Sequence, residues 1–532
     1  MKKRIFMLMS GLLIIASAYA QSTLISIIPK TSINFTKVDN KLYFTSHDSL
    51  FVVDGNVGNI NFVKSGLNNP DKLYASNGLL YFVVSGNQLW KSNGTSGGTF
   101  LLKNFSIGNI NYVHTLGSNL YFTATETATG KELYRTNGTV AGTILLKDIS
   151  PGSGDGVGNS NYLSVGSYLY FPGANPTTGT ELWRTDGTAS GTILLKDVNP
   201  GSASGFVKGS WPSSGTVYFS ANDGTHGIEL WKTNGTSSGT LLVKDVNPGA
   251  GNGFFSDTII ARGGNIYFFA NETTHSFQLW KSNSTSSGTV LVKEFDMVNE
   301  YSWGKNFLYA DNSLIYFYTY DNQVADVVLW KSDGTSAGTV DYYTINSEFY
   351  EILHHTVLNS KYFAVLAPSS DRVALLVTDG TDGGTFTEDV LYTGETYVFH
   401  FTVVNNNVIF GATGQNDHFL GYLKSDGTPA GTYVFYSDGF NRPSELAVVG
   451  NYIFFNQDLT SDPYGLKSPV DFKQLFISDL TNTNSLRSLY GISMEGSANL
   501  INLSNVLYYT TYNENGFFQP SADQTIKKTL EI

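Results

Sequence analysis

The chain has 532 residues, 14% of them aromatic, with 55 glycines, 32 Lys and Arg against 44 Asp and Glu, and no cysteine. One hydrophobic core stops growing at about 250–300 residues, so a chain this long divides into several cores or repeated units. The missing cysteine excludes a disulfide framework, a thiolate zinc site and a cysteine nucleophile. The acidic balance argues against nucleic acid, whose phosphates it repels.

In chain order, residues 1–20 read as a signal peptide. Lys2, Lys3 and Arg4 open it, Ile5 to Ala16 is apolar but short for a bilayer span, and Ala18-Tyr19-Ala20 supplies a small-x-small cleavage site before Gln21. The protein is therefore expected to be exported, to the periplasm, the cell surface or the medium. Cleavage takes away three basic side chains and no acidic one, which makes residues 21–532 more acidic still. No later stretch reaches the roughly 18 apolar residues of a spanning helix, so no membrane span is expected.

Thr23-Leu24-Ile25-Ser26-Ile27-Ile28-Pro29 reads as an orphan fourth strand. A degenerate segment at Leu50 to Gly55 then introduces a repeat that dominates the chain. Its copies are Leu89-Trp90-Lys91-Ser92-Asn93-Gly94-Thr95, Leu133-Tyr134-Arg135-Thr136-Asn137-Gly138-Thr139, Glu181-Leu182-Trp183-Arg184-Thr185-Asp186-Gly187-Thr188 and Glu229-Leu230-Trp231-Lys232-Thr233-Asn234-Gly235-Thr236. Leu279-Trp280-Lys281-Ser282-Asn283 and Leu329-Trp330-Lys331-Ser332-Asp333-Gly334-Thr335 follow, with weaker copies around Asp379-Gly380, Asp426-Gly427 and Asp479. The aromatic position recurs every 39–53 residues.

One period resolves into four short strands. Between residues 161 and 198 these are Tyr162 to Val165, Tyr168 to Phe171, Glu181 to Thr185 and Thr192 to Lys196, separated by Gly, Asn, Asp and Pro. Neighbouring apolar residues such as Leu182-Trp183 must point to opposite sheet faces, so both faces are buried. Small four-stranded sheets covered on both sides, at this period, describe an all-β fold, a β-propeller. At the C-terminus, Leu500 to Leu503 and Val506 to Tyr509 read as the first two strands of one more unit. Residues 525–532 read as its third, and the N-terminal strand completes it, so that no edge is left open. That makes eleven blade units of about 47 residues. The number exceeds the four to eight blades usual for one ring, which favours two rings over a single wide one.

The recurring Asp invites a reading as a calcium ligand. Its copies alternate with Asn, which serves a turn equally well, whereas a calcium site prefers charged oxygen and multiple ligands, so a structural turn is expected. The repeated tryptophans are expected to pack between blades rather than stack on sugars; Trp211 and Trp303, outside the repeat, are the candidates for exposed contact. After the fourth strand, Lys147-Asp148, Lys196-Asp197 and Lys244-Asp245 open loops ending in Pro-Gly, and are read as ion pairs between blades. Calcium is kept as the minor alternative for these loop acids; otherwise no cofactor is expected. The loops between second and third strands vary most, and a ligand site is sought first at Asp223, His226, Glu272 and His275. No phosphate loop, nucleophile elbow or zinc-binding helix is present.

At Glu181 to Thr188 the chain resembles the bacterial ELWxxDGT-repeat proteins, named for that segment. The likeness covers most of residues 80–440, with departures at Ser284 and where Trp is lost at Leu376, Leu423 and Phe476. The resemblance implies an exported or surface protein with propeller-like repeats, and carries over no catalytic residue. The expectation is a monomeric, non-catalytic module that binds a protein or glycan, or serves structurally, at the bacterial envelope. The alternative is a carbohydrate-active hydrolase or lyase with a loop-built site.

Overall fold

Short apolar strands closed by Gly, Asn and Asp turns fold back on one another as antiparallel sheets. In blade 4, strands Leu163–Val165, Tyr168–Asn175, Gly179–Thr185 and Ile193–Leu194 pair in sequence order, with Phe171 opposite Trp183 and Trp183 opposite Leu194. The central hairpin runs longer than expected and the fourth strand is shorter. This computed structural model describes residues 23–29, 32–54, 60–158, 161–256, 258–272, 275–295, 307–321, 326–346, 349–368, 372–392, 397–413, 419–436, 446–458, 473–478, 480, 487–494, 500–503, 506–511 and 528–530. Residues 1–20, expected to be a signal peptide, lie outside them, as do Trp303 and Asp479.

Among the described residues the fold is all-β, a β-propeller of eleven four-stranded sheets. Ten are built from four consecutive strands, spanning 32–64, 70–104, 108–145, 163–194, 206–244, 260–294, 307–346, 349–392, 397–436 and 446–494, and are numbered blades 1 to 10. Among these residues no helix is long and apolar enough to cross a membrane.

The eleventh blade joins the chain ends, in an order the sequence did not indicate. Leu500–Leu503 pairs with Val506–Thr511, and Thr23–Pro29 comes third, running parallel to Val506–Thr511 with Ile25 opposite Leu507. Lys528–Leu530 is outermost, antiparallel to the N-terminal strand. The N-terminal segment is thus an inner strand and not the fourth. Its run of Leu24, Ile25, Ile27 and Ile28 suits a position paired on both sides, while Lys528 and Thr529 suit an edge that must not recruit another chain.

The chain forms two compact units: Met1–Leu67, Tyr397–Lys424 and Val434–Ile532 make one, and Asn68–Thr396 with Ser425–Tyr433 the other. The second unit contains blades 2 to 8. Its cores lie between sheets rather than within them. Leu133, Leu146 and Tyr121 of blade 3 form one cluster with Leu169, Phe171 and Trp183 of blade 4. Leu182 and Leu195 of blade 4 join Val217, Phe219 and Trp231 of blade 5, and Tyr218 and Leu230 of blade 5 join Ile266, Phe268 and Trp280 of blade 6. In the first unit, Tyr422 of blade 9 stands 4.9 Å from Phe455 of blade 10.

Removing residues 21–29 from a chain that starts at Gln21 takes out an inner strand and opens the edges of Val506–Thr511 and Lys528–Leu530. Size-exclusion chromatography is expected to show a shift to higher-mass species. An elution position identical to that of residues 21–532 would argue against the closing role.

Candidate functional site

The repeated turn is a closed network of hydroxyls. In blade 4, Thr188 N–H and Thr188 Oγ1 both donate to Asp186 Oδ1, at 2.8 and 2.7 Å. Gly191 N–H donates to Thr188 Oγ1, Thr192 Oγ1 donates to Thr188 O, and Gly187 N–H donates to Thr185 Oγ1. Thr185 and Thr192 hydroxyls are 2.7 Å apart and fully buried. Since the Thr192 proton is committed to Thr188 O, Thr185 is the donor of that pair. The same hydroxyl pair recurs at Ser92–Thr99, Thr136–Thr143, Thr233–Thr240, Ser282–Thr289, Ser332–Thr339, Thr378–Thr385 and Ser425–Thr432.

The residue at the Asp186 position uses one oxygen, purely as acceptor. Asn93, Asn137, Asn234 and Asn283 accept the same pair of bonds as Asp186, Asp333, Asp379 and Asp426. That is why amide and acid interchange. Gly191 is held by space, because a Cβ there would lie 2.0 Å from Asp186 Oδ1.

The turn also receives a clamp from the preceding blade. A Cβ on Gly235, whose φ is +85°, would fall 2.7 Å from the Tyr170 hydroxyl of blade 4. Ser284 occupies the equivalent place at φ +73°, a costly conformation for a residue with a side chain, and its hydroxyl bonds that of Tyr218 in blade 5. Lys232 Nζ donates to Ser284 O, Lys281 Nζ to Gly334 O and Lys331 Nζ to Gly380 O, each into the next blade. Lys361 likewise donates to Gly427 O. Tyr121 stands over Gly187 and Tyr81 over Gly138 in the same way.

Trp183, Trp231 and Trp280 are 6%, 5% and 4% exposed, inside the interblade clusters; Tyr134 holds the same place in blade 3. Trp90 and Trp330 are half-buried, with Trp330 4.9 Å from Phe295 of blade 6. Trp211 is half-buried as well, 5.6 Å from Phe254, and so is not the exposed contact expected of it. The Lys-Asp reading is corrected too. Lys147, Lys196 and Lys244 cross to the next blade, but there they donate to the carbonyls of Thr192, Thr240 and Thr289 and lie 5.5–5.6 Å from the ring centroids of Trp183, Trp231 and Trp280. An aromatic face and a carbonyl hold a lysine without the strict geometry an ion pair needs.

The sequence reading missed the acid that precedes Leu-Trp. Glu132, Glu181 and Glu229 are completely buried. Glu132 Oε1 accepts from Ile149 and Ser150 N–H, Glu181 Oε1 from Gly205 N–H, and Glu229 Oε2 from Val246 N–H. Burial pushes Glu132 and Glu229 up to about 8 and Glu181 to about 7, with Asp148, Asp245 and Asp197 adding to the rise and the loop N–H groups opposing it. The signal was present in the sequence: Glu at this place and Asp in the loop occur in the same three blades, whereas blades 2 and 6 carry Gln88 and Gln278. Those amides accept from Trp90 and Trp280 Nε1 instead.

Of the four loop residues singled out, Asp223 and His226 come together, with Nδ1 2.7 Å from Oδ2, while Asp223 Oδ1 accepts from Thr225 and His226 N–H. Partial burial opposes ionisation of Asp223, but these bonds hold it below the usual carboxylate range, and the Asp223 bond raises His226. Glu272 is opposite His275 in the blade 6 hairpin. Among the described residues, no group of three or more His, Asp and Glu gathers as a metal cluster.

No family model matches the chain, and no curated protein does. Among solved structures it is similar to prolyl oligopeptidase B from Galerina marginata at 11% identity and a TM-score of 0.34, covering 70% of this chain and 55% of that one. A structure from a study of two prolyl endopeptidases gives 11%, 0.36, 69% and 54%, and puromycin hydrolase 13%, 0.32, 74% and 60%. The chain thus spans little more than half the length of these proteins, and at such TM-scores no residue or activity of theirs is carried over.

Replacing Thr192 by Val keeps the shape but leaves the Thr185 proton and the Thr188 carbonyl without a partner. Chemical denaturation is expected to show a loss of about 1–3 kcal/mol. Asp186→Asn, which keeps the accepting oxygen, is expected to leave the midpoint unchanged. Equal losses from both would refute the acceptor-only role.

Proposed function

We propose that this protein is an exported, non-catalytic β-propeller of the bacterial envelope or surface, a rigid platform whose variable loops bind a protein or glycan, and that it belongs with the ELWxxDGT-repeat proteins it resembles. The observation that carries this reading is that the recurring residues are consumed by turns, interblade clamps and packing. Hydroxyls, amides and acids of the repeated turn bond one another, and Trp183, Trp231 and Trp280 are enclosed. Export rests on the basic, apolar and small-residue order of residues 1–20.

A glycosidase or lyase needs two acids about 5–10 Å apart at a mouth open to substrate. The acids whose protonation is most altered here, Glu132, Glu181 and Glu229, are sealed from solvent instead. The ligand surface is sought at the loops around Asp223–His226 and Glu272, where the units differ most and where a fixed scaffold presents variable side chains.

Glycan-array binding, run beside a panel of chromogenic glycosides, is expected to give binding without turnover. Turnover that disappears on replacing a single loop acid would reverse the assignment. N-terminal sequencing of the exported protein is expected to begin at Gln21.

A further inference from the structure

Blades 3, 4 and 5 contain a feature that turns, clamps and packing leave unused. In each, the third strand brings a buried glutamate, Glu132, Glu181 or Glu229, beneath the loop that follows the fourth strand, and this loop supplies Asp148, Asp197 or Asp245. The pairing follows from the chain path. Ile149, next to Asp148, and Val246, next to Asp245, donate their N–H groups to Glu132 and Glu229, and Asn199 N–H reaches Glu181 at 3.5 Å.

Every one of these six acids retains a buried oxygen that no donor reaches: Oε2 of Glu132 and Glu181, Oε1 of Glu229, and Oδ1 of Asp148, Asp197 and Asp245. A buried glutamate oxygen with no donor, facing a second and half-buried carboxylate, is costly to keep charged unless something positive joins them. The adjacent lysines do not, since Lys147, Lys196 and Lys244 are turned to the next blade. Space is kept around each glutamate. Ala124, Gly173 and Ala221 are its partners on the second strand, and a Cβ on Gly156, Gly205 or Gly253 would fall 2.1, 2.4 or 2.2 Å from its carboxylate. Where the third strand has Gln88 or Gln278, the loop lacks the Asp and the Pro-Gly turn. In blade 2 the loop position is the neutral Asn104, whereas blade 6 keeps an acid there, Glu294, opposite Gln278.

We propose that blades 3, 4 and 5 each bind one calcium ion, held between Glu132 and Asp148, between Glu181 and Asp197, and between Glu229 and Asp245. An all-oxygen donor set with two negative charges suits a hard divalent cation and not zinc or copper. With only two carboxylates per site, the remaining positions fall to loop carbonyls and water, and the affinity expected is that of extracellular modules, about 10⁻⁴–10⁻³ M. This inference goes beyond the ligand-binding reading and stands without it.

The test uses the full mature chain, stripped with EDTA, desalted and titrated with CaCl2 at neutral pH by calorimetry, with thermal melting in parallel. Three equivalents of calcium per chain are expected, together with a melting temperature that rises by several degrees in millimolar CaCl2 and falls back in EDTA. E132Q, E181Q and E229Q install the side chain that blades 2 and 6 already carry, and each is expected to remove one equivalent. A folded wild-type chain that binds no calcium would overturn the proposal and leave a shared proton at each pair. So would calcium binding that persists in the folded triple variant.

Discussion

The structure depends on one constraint: a four-stranded sheet apolar on both faces cannot stand alone, and must be wedged against the next. The wedge is built from the third strand outward. Trp183, Trp231 and Trp280 enter the preceding blade's cluster, and a lysine from that blade covers each ring while donating to the turn carbonyl behind it. Tyr170 and Tyr218, from the second strands of blades 4 and 5, press on the following turn. One tryptophan buries about 150–250 Å². Repeated across blades, these contacts make stability a sum over neighbouring pairs, as in other repeat arrays.

The turn network gives the wedge a fixed geometry. The Thr188 and Thr192 hydroxyls bond Asp186 Oδ1 and Thr188 O and so hold the loop from Thr185 to Thr192 in shape, and in later blades a lysine of the preceding blade reaches the carbonyl at the first-glycine position. Gly191 is tied to Asp186 by lack of room, while the first glycine is replaced by Ser284, whose hydroxyl bonds that of Tyr218, and by Leu480, both at positive φ. Recurrence of these residues therefore reflects assembly, and the variable loops are left free to differ.

Much of this could be read beforehand. Apolar pairs such as Leu182-Trp183 imply two buried faces, Asp-Gly implies the hairpin, and the period implies eleven units. The order of strands in the closing blade was not legible, because nothing local to Thr23–Pro29 says whether it lies inside or at the edge; that depends on Lys528–Leu530, at the far end of the chain. The destination of Lys147 was hidden for the same reason: its carbonyl partner is Thr192, in the next blade. The buried glutamates were legible in principle. Glu181 and Asp197 recur together as Glu229 and Asp245, but the motif's tryptophan and turn drew attention from the acid beside them.

The most direct test of the wedge is hydrogen exchange followed by mass spectrometry on Trp231→Ala. If the tryptophan joins blade 5 to blade 4, amides in both blades lose protection while those of blades 2 and 8 keep theirs. Loss confined to blade 5, with blade 4 unchanged, would contradict the account.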